Sequence, residues 1–322
     1  MSRKIIVTGG AGFIGRHVVA ELNRRGEEDI LIVDALGATA KWRNLLGLRY
    51  EDYLEKAAFR TLLREGRMPN VRAVIHLGAC SSTTESDAAY LVDNNYRATR
   101  ELCEWCLTHG ARFVYASSAA TYGLGELGYA DDDHRTPDLR PLNMYGYSKH
   151  MFDCWALRKG LLSMIAGLKY FNVYGPYEDH KGDMRSVVHK AFEQIRDTGE
   201  VRLFKSHKPE VADGEQVRDF VYVRDAVNMT LFFVEHPEAS GLFNCGTGQA
   251  RSWNELARAV FAAMGMPERI RYIDMPEAIR ETYQYFTQAD MGKAAAAGFT
   301  DPFTSLEDGV KEYVQKYLME RR

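Results

Sequence analysis

The sequence predicts an α/β fold, a doubly wound parallel sheet with a smaller C-terminal lobe, and three observations predict it. A β-branched run, Lys4-Ile5-Ile6-Val7-Thr8, leads into glycines at positions 9, 12 and 15 and then into a helical apolar pattern at Val18, Val19 and Leu22. Apolar strand patterns recur at Ile30-Leu31-Ile32-Val33, Ala73-Val74-Ile75-His76-Leu77 and Arg112-Phe113-Val114-Tyr115-Ala116, and again over 165–171, with helical patterns between them. That alternation dictates right-handed crossovers and places ligands at the carboxyl ends of the strands. Finally, 322 residues exceed what one such sheet needs, which leaves a second lobe.

The glycine run explains the first element. Gly9 lets the chain turn, Gly12 lets backbone approach a pyrophosphate, and Gly15 lets helix pack closely on strand. The unpaired N–H groups of the first helical turn then point at an anion. The spacing is G-x-x-G-x-x-G, and its place between strand and helix carries more weight than the glycines themselves. The second strand ends in Asp34, about 20 residues past the glycines, where a carboxylate meets an adenosine ribose. Together these predict a Rossmann dinucleotide site.

Farther along, a polar segment containing Lys41 precedes helix-like patterns over 45–48 and 53–63, the latter with Lys56. The third clear strand opens into small residues, Gly78-Ala79-Cys80-Ser81-Ser82, the texture of a loop brought close to a ligand. Asn94-Asn95-Tyr96 starts a long helix to about Thr108. The next strand ends in Ser117-Ser118.

Composition excludes several classes. A net charge of −3 argues against nucleic acid as the main partner. No apolar run approaches the roughly 18 residues of a membrane span, and the chain opens on a strand instead of a signal peptide. Five cysteines without framework spacing predict a reducing cytoplasm. Cys103 and Cys106, in a helical pattern, read as packed core thiols. Asp131-Asp132-Asp133-His134 has no second ligand group at fixed spacing, so a solvated acidic loop is expected and no metal.

The chemistry sits at Tyr145-Gly146-Tyr147-Ser148-Lys149. Tyr145 and Lys149 are four apart, hence on one face of a helix beginning after Pro141. A free tyrosine, with pKa about 10, is a poor base at neutral pH. A lysine ammonium one turn away and a cationic nicotinamide ring would lower that value. Ser118, at a neighbouring strand end, would hold a substrate alcohol against the phenol.

These motifs, with Tyr170-Phe171-Asn172-Val173-Tyr174-Gly175-Pro176 and Arg218-Asp219-Phe220-Val221-Tyr222-Val223, resemble the extended short-chain dehydrogenase/reductases that act on nucleotide sugars. Order and spacing hold along essentially the whole chain. The resemblance implies a nicotinamide-binding domain of 1–171 plus about 218–246, and a nucleotide-sugar lobe of about 172–217 plus 247–322. Within that superfamily, four stretches resemble the ADP-L-glycero-D-manno-heptose 6-epimerase family: Gly78-Ala79-Cys80-Ser81-Ser82-Thr83-Thr84-Glu85, Asp93-Asn94-Asn95-Tyr96, His180-Lys181-Gly182 and Tyr283-Gln284-x-Phe286-Thr287-Gln288-Ala289-Asp290.

That likeness implies inversion at C6 of a heptose in lipopolysaccharide precursor synthesis, through a ketone formed and reduced by hydride transfer. Two faces require two proton carriers, Tyr145 and Lys181; a lysine serves only if desolvation or a neighbouring cation lowers its pKa. Without the likeness, Lys181 reads as a solvated loop lysine. Phe13, Ile14, Asp34, Ala35, Lys41, Lys56, Leu77, Gly78, Ala79, Cys80, Ser81, Asn94, Lys149, Val173 and Lys181 would line the cofactor. Ser118, Asn172, Phe204, Arg218 and Tyr283 would face the sugar nucleotide, Arg218 through paired hydrogen bonds to a diphosphate. The other reading of Arg218 is a structural arginine paired with Asp219. NADP is expected, with Lys41 and Lys56 offsetting its phosphate; Asp34 by itself favours NAD. A homo-oligomer, pentameric by family likeness, is also implied.

The sequence departs from the family at Asp183, where serine is usual, at Lys190, where a substrate-contacting histidine is usual, and over 205–217, which is longer and more polar. An epimerase or reductase for another UDP- or GDP-sugar is therefore the alternative. A 4,6-dehydratase would need an Asp-Glu pair after Ser118, where Ala119-Ala120 stands. A non-catalytic sensor would lack the tyrosine or the lysine.

Overall fold

The computed structural model describes residues 3–320. The chain opens with β1 (Lys4–Thr8), α1 (Phe13–Arg24), β2 (Ile30–Asp34), β3 (Asp52–Glu55), α2 (Lys56–Arg64) and β4 (Val71–His76). Then come α3 (Ala88–Leu91) and α4 (Ala98–His109), joined by a π turn over Val92–Arg97, followed by β5 (Arg112–Ser118) and α5 (Met144–Arg158). Strands β6 (Ala166–Tyr170) and β7 (Asn172–Tyr174), helix α6 (Val187–Thr198), β8 (Val201–Phe204), β9 (Val217–Tyr222) and α7 (Val223–Glu235) lead to β10 (Gly241–Cys245). The remainder includes β11 (Ala250–Ser252), α8 (Trp253–Met264), β12 (Ile270–Ile273) and a C-terminal helix, Leu306–Tyr313.

Among the described residues a seven-stranded sheet has the order β10-β6-β5-β4-β1-β2-β3, parallel throughout. Both faces are covered, which is why its strands read as unbroken apolar runs. Alternation sorts β1: Ile5 and Val7 pack with Val18 and Leu22 of α1, whereas Ile6 packs with Leu102, Cys103 and Cys106 of α4. The two thiols are fully buried, as expected. Strand order reverses between β1 and β4, and the crevice there is the expected ligand position.

A three-stranded sheet, β11-β9-β7, and the pair β12-β8 build the rest with α6, α8 and the C-terminal helix. Helix α8 starts with a capping box: Ser252 accepts from the Glu255 amide, and Glu255 returns the bond.

Three expectations are corrected. The helix expected over 53–63 is strand β3 followed by α2. The helix expected to begin at Asn94 begins at Ala88, and Asn94 sits in the π turn. The acidic loop is solvated only at Asp132 and His134: Asp131 is buried and accepts from the Asn244 amide at 2.7 Å, while the half-buried Asp133 accepts from the Leu242 amide and from Lys293. These carboxylates clamp strand β10 at the sheet edge.

Candidate active site

The glycine turn between β1 and α1 forms one wall of the site. Gly9 has φ +70°, and a Cβ there would stand 2.8 Å from the Gly78 nitrogen. A Cβ on Gly15 would meet the Gly9 carbonyl oxygen at 2.0 Å, and one on Gly12 would meet it at 2.9 Å. Only glycine fits this cradle. Helix α1 has no side-chain cap hydrogen bond at Gly12, so its first-turn amides suit a pyrophosphate.

Beyond the turn, Asp34 accepts from the Ala11 amide (2.9 Å) and the Ala35 amide (2.7 Å), and pairs with Lys41 Nζ at 2.5 Å. Lys56 donates to Asn94 Oδ1 at 2.9 Å. These residues line a cavity of about 620 Å³. The donor set, carboxylate and two lysines beside a glycine cradle, fits a dinucleotide.

Behind the cradle lies a buried chain of hydroxyls. Thr99 donates to the Asn95 carbonyl, so His76 Nε2–H must donate to Thr99 (2.8 Å), and His76 Nδ1 accepts from Thr8 (2.7 Å). Thr8 in turn accepts from the Gly78 amide. Burial drives the His76 pKa down to about 3, so the ring is neutral. Asn95 then clamps Cys80 on both its amide and carbonyl and donates to Ser148 on α5.

The reactive end is a second cavity of about 300 Å³, lined by the glycine turn, Ser118, Tyr145, Lys149, Val173 and Lys181. Asn143 caps α5 by accepting from the Gly146 amide, which sets Tyr145 in the first turn and Lys149 one turn on. The Ser118 hydroxyl, which accepts from the Ala120 amide, stands beside the Tyr145 phenol and acts to lower its pKa. Lys149 Nζ donates to the Ala116 carbonyl at 2.7 Å. Burial lowers the Lys149 pKa to about 8, opposed by the charge of Asp153. Burial also pushes the Tyr145 phenol up, with the Ser118 hydroxyl opposing it. The expected lowering of the phenol is thus not produced by the protein's own groups: desolvation outweighs them.

Lys181 enters from a 3₁₀ turn, Asp179–Met184. Its side chain is 23% exposed, and Nζ lies 3.9 Å from Glu178 and 5.1 Å from the Phe13 ring centroid. Burial lowers its pKa, Glu178 raises it and Lys190 lowers it. Lys181 also lines an adjoining cavity of about 260 Å³ with Phe171, Asn172, Val173 and Trp253. A solvated loop lysine is excluded.

Next to that cavity, Arg218 is 7% exposed, with its guanidinium 5.5 Å from the Trp253 ring and 5.2 Å from that of Tyr283. It donates to the Val217 carbonyl. The pairing with Asp219 is not formed; Asp219 accepts from the amides of Thr247, Gly248 and Ala289. Adjacent strand residues face opposite ways, which separates the two.

Residues 5–246 match the model of the NAD dependent epimerase/dehydratase family. The chain belongs to that family. An ADP-L-glycero-D-manno-heptose-6-epimerase of Nitratidesulfovibrio vulgaris is 56% identical over 97% of each chain, and one of Fusobacterium nucleatum is 47% identical over 98% of each. The crystal structure of the Helicobacter pylori protein of that name has TM-score 0.82 at 28% identity, covering 97% of this chain and 95% of that one. A Thermus thermophilus UDP-glucose 4-epimerase in complex with NAD has TM-score 0.78 at 27% identity, covering 99% and 100%.

For this family member, the fold brings most of the expected residues to one crevice. Gly9, Gly12, Phe13, Ile14, Gly15, Leu77, Gly78, Ala79, Ser81 and Ser118 line the reactive cavity, while Ala35, Cys80 and Asn94 line the larger one. Phe204 packs edge-on to Tyr283 at 6.3 Å. Asp183 is exposed on the turn that carries Lys181. Lys190 acts on the site through its charge on Lys181. Sequence reasoning missed Trp253, which donates from Nε1 to Tyr283 and lies against Arg218. The capping box starting at Ser252 was its one local signal. It also missed Glu178, which is fully buried.

Proposed function

We propose that the protein is a nucleotide-sugar epimerase that inverts C6 of ADP-D-glycero-D-manno-heptose through a 6-keto intermediate. The observation that carries this is that Tyr145 of α5 and Lys181 of the turn after Pro176 line one cavity at the end of the glycine cradle. The glycine cradle, Asp34 and Lys149 would hold a nicotinamide dinucleotide, which would supply the hydride acceptance and return at C6.

The chain's own groups do the rest. Ser118 holds the C6 hydroxyl against Tyr145, which takes its proton as the carbonyl forms. Lys149, one turn away, sets a cation on the same helix face, and bringing the phenol below its desolvated value would fall to the cationic ring of the bound cofactor. Once the sugar presents its other face, Lys181 gives a proton to the ketone oxygen. Desolvation brings the amine toward neutral pH, as acid/base work requires. Arg218, stacked between rings and without a carboxylate partner among the described residues, suits a diphosphate.

Lys41, paired with Asp34, offsets that carboxylate, and with Lys56 it favours the 2′-phosphate of NADP over NAD. A larger thermal upshift with NADP than with NAD at equal concentration tests the choice. The family likeness also carries a homo-pentamer in the cytoplasm, and light scattering tests the assembly. A second reading, another UDP- or GDP-sugar, is favoured by the loop over 205–217, whose His207 amide donates to Tyr285 beside Tyr283. Incubation with ADP-D-glycero-D-manno-heptose and NMR of the product decides: inversion at C6 supports the first reading, and turnover of a UDP- or GDP-hexose alone supports the second.

A further inference from the structure

The segment that carries Lys181 is built around a carboxylate that the reaction as derived above does not use. Glu178 is fully buried. Its Oε2 accepts from the Ser186 amide at 2.6 Å, and its Oε1 accepts from the Ser186 hydroxyl at 2.5 Å and from Tyr313 at 3.1 Å. Its backbone carbonyl accepts from the Lys181 amide at 3.0 Å. Two ends of the turn and the C-terminal helix are therefore tied to one side chain.

The chain of donors continues outward with a fixed direction. Arg185 donates to His189 Nε2 at 3.0 Å, so Nδ1 carries the ring hydrogen and donates to Tyr313 at 2.8 Å. Tyr313 then donates to Glu178. Every hydrogen in the row points at the carboxylate, and the remaining direction is toward Lys181 Nζ at 3.9 Å. Just before Glu178, Tyr177 holds φ +70°, a strained value for a non-glycine residue, with the Arg16 guanidinium 3.5 Å over its ring. So much fixed structure in a surface turn holds the Lys181 amine in one place.

We infer that Glu178 is a positioning residue for Lys181: its buried negative charge fixes the ammonium at the cavity wall and sets the pH at which that amine gives and takes a proton. The inference rests on the two-carrier reading above. The charged and titratable groups around Lys181 are Glu178, Asp179, His180 and Asp183 on its own turn, Lys190 from α6, Arg185 in the adjoining cavity, and Asp34, Lys41, Tyr145 and Lys149 across the reactive cavity, while α1 presents the apolar Phe13 ring. Of the four carboxylates, Glu178 is the one that pairs with the Lys181 ammonium and holds its pKa up. Burying a carboxylate costs free energy that an uncharged staple would avoid, which argues for a use of the charge itself.

The test is Glu178→Gln, which keeps the shape and, through rotation of the Ser186 and Tyr313 hydroxyls, the hydrogen bonds. Acetylation of Lys181 by limiting acetic anhydride, read by mass spectrometry across pH, reports the amine's pKa without reference to turnover. The inference predicts a fall of about one unit, the lower end of the effect of an opposite charge at this range. In turnover, the alkaline limb moves to lower pH from the epimer for which Lys181 is the acid, and the acid limb moves likewise from the other epimer. The Tyr145 limb stays. An unmoved acetylation profile overturns the inference. If Glu178→Gln does not fold, Tyr313→Phe takes one donor from the carboxylate while leaving its charge, and should shift the profile to higher pH; a fall or no change contradicts the inference. Full activity of Lys181→Met would instead sink the two-carrier reading, so the two failures are distinct.

Discussion

Lys181 and Phe13 meet across the cavity, with the ammonium 5.1 Å from the ring centroid. The ring belongs to the first turn of the helix that follows the glycine cradle, and the lysine to a turn some 170 residues later in the chain. That contact brings the amine to the mouth of the pyrophosphate site. It also gives Lys181 an apolar neighbour, part of the burial that lowers its pKa.

Ser118→Ala should raise the Tyr145 phenol further, because the Ser118 hydroxyl is the group that opposes desolvation. Tyr145 acts as a base only when deprotonated. The rising limb of the pH–rate profile therefore moves to higher pH, and neutral-pH kcat falls by about 10²-fold or more. An unmoved limb would mean that the serine only contacts the sugar.

Arg218→Met should weaken ADP binding about tenfold or more, the worth of a charge-assisted hydrogen bond to a buried guanidinium. It should leave Tm unchanged or higher, since a buried cation beside two rings costs stability that function retains. Calorimetric titration and a melt on the same variant check both. A large loss of Tm would make Arg218 structural.

Acid should destabilise the fold early. The His76 pKa is about 3 folded against 6.5 unfolded, so between those values the unfolded chain binds more protons. Stability from this neutral histidine is complete above pH 6.5 and is lost as pH falls toward 3, by about 1.4 kcal/mol per pH unit. His17, lowered to about 4, adds to the slope. Denaturant melts from pH 7 to 4 should show the decline, and a flat profile would contradict neutral burial.

Lys41→Ala should reduce the thermal upshift from NADP more than that from NAD, because the variant leaves Asp34 without its pairing cation. Equal losses would separate Lys41 from the 2′-phosphate.

The sequence carried those parts whose signal is local. Strand β1, the glycines and α1 were legible because period 2 gives way to period 3.6 across a turn only glycine can make. Strand β3 was not, since it is an edge strand of four residues with exposed ends, and its apolar spacing runs on into α2. The separation of Arg218 from Asp219 was available from strand alternation, but not the identity of the rings around Arg218. Trp253 arrives there by following β11, which pairs antiparallel to β9, a register no local pattern encodes. Asp131 and Asp133 looked solvated because their partners, Asn244, Leu242 and Lys293, lie more than a hundred residues away. Glu178 carried no motif, and only tertiary burial distinguishes it.

The central claim is that a phenol and an amine serve opposite faces of one carbon. Product NMR with ADP-D-glycero-D-manno-heptose, run on Tyr145→Phe and on Lys181→Met after melts show both folded, tests it most directly. Each variant should lose inversion at C6 by about 10²-fold or more. Inversion by Lys181→Met at the unmodified protein's rate would contradict the account.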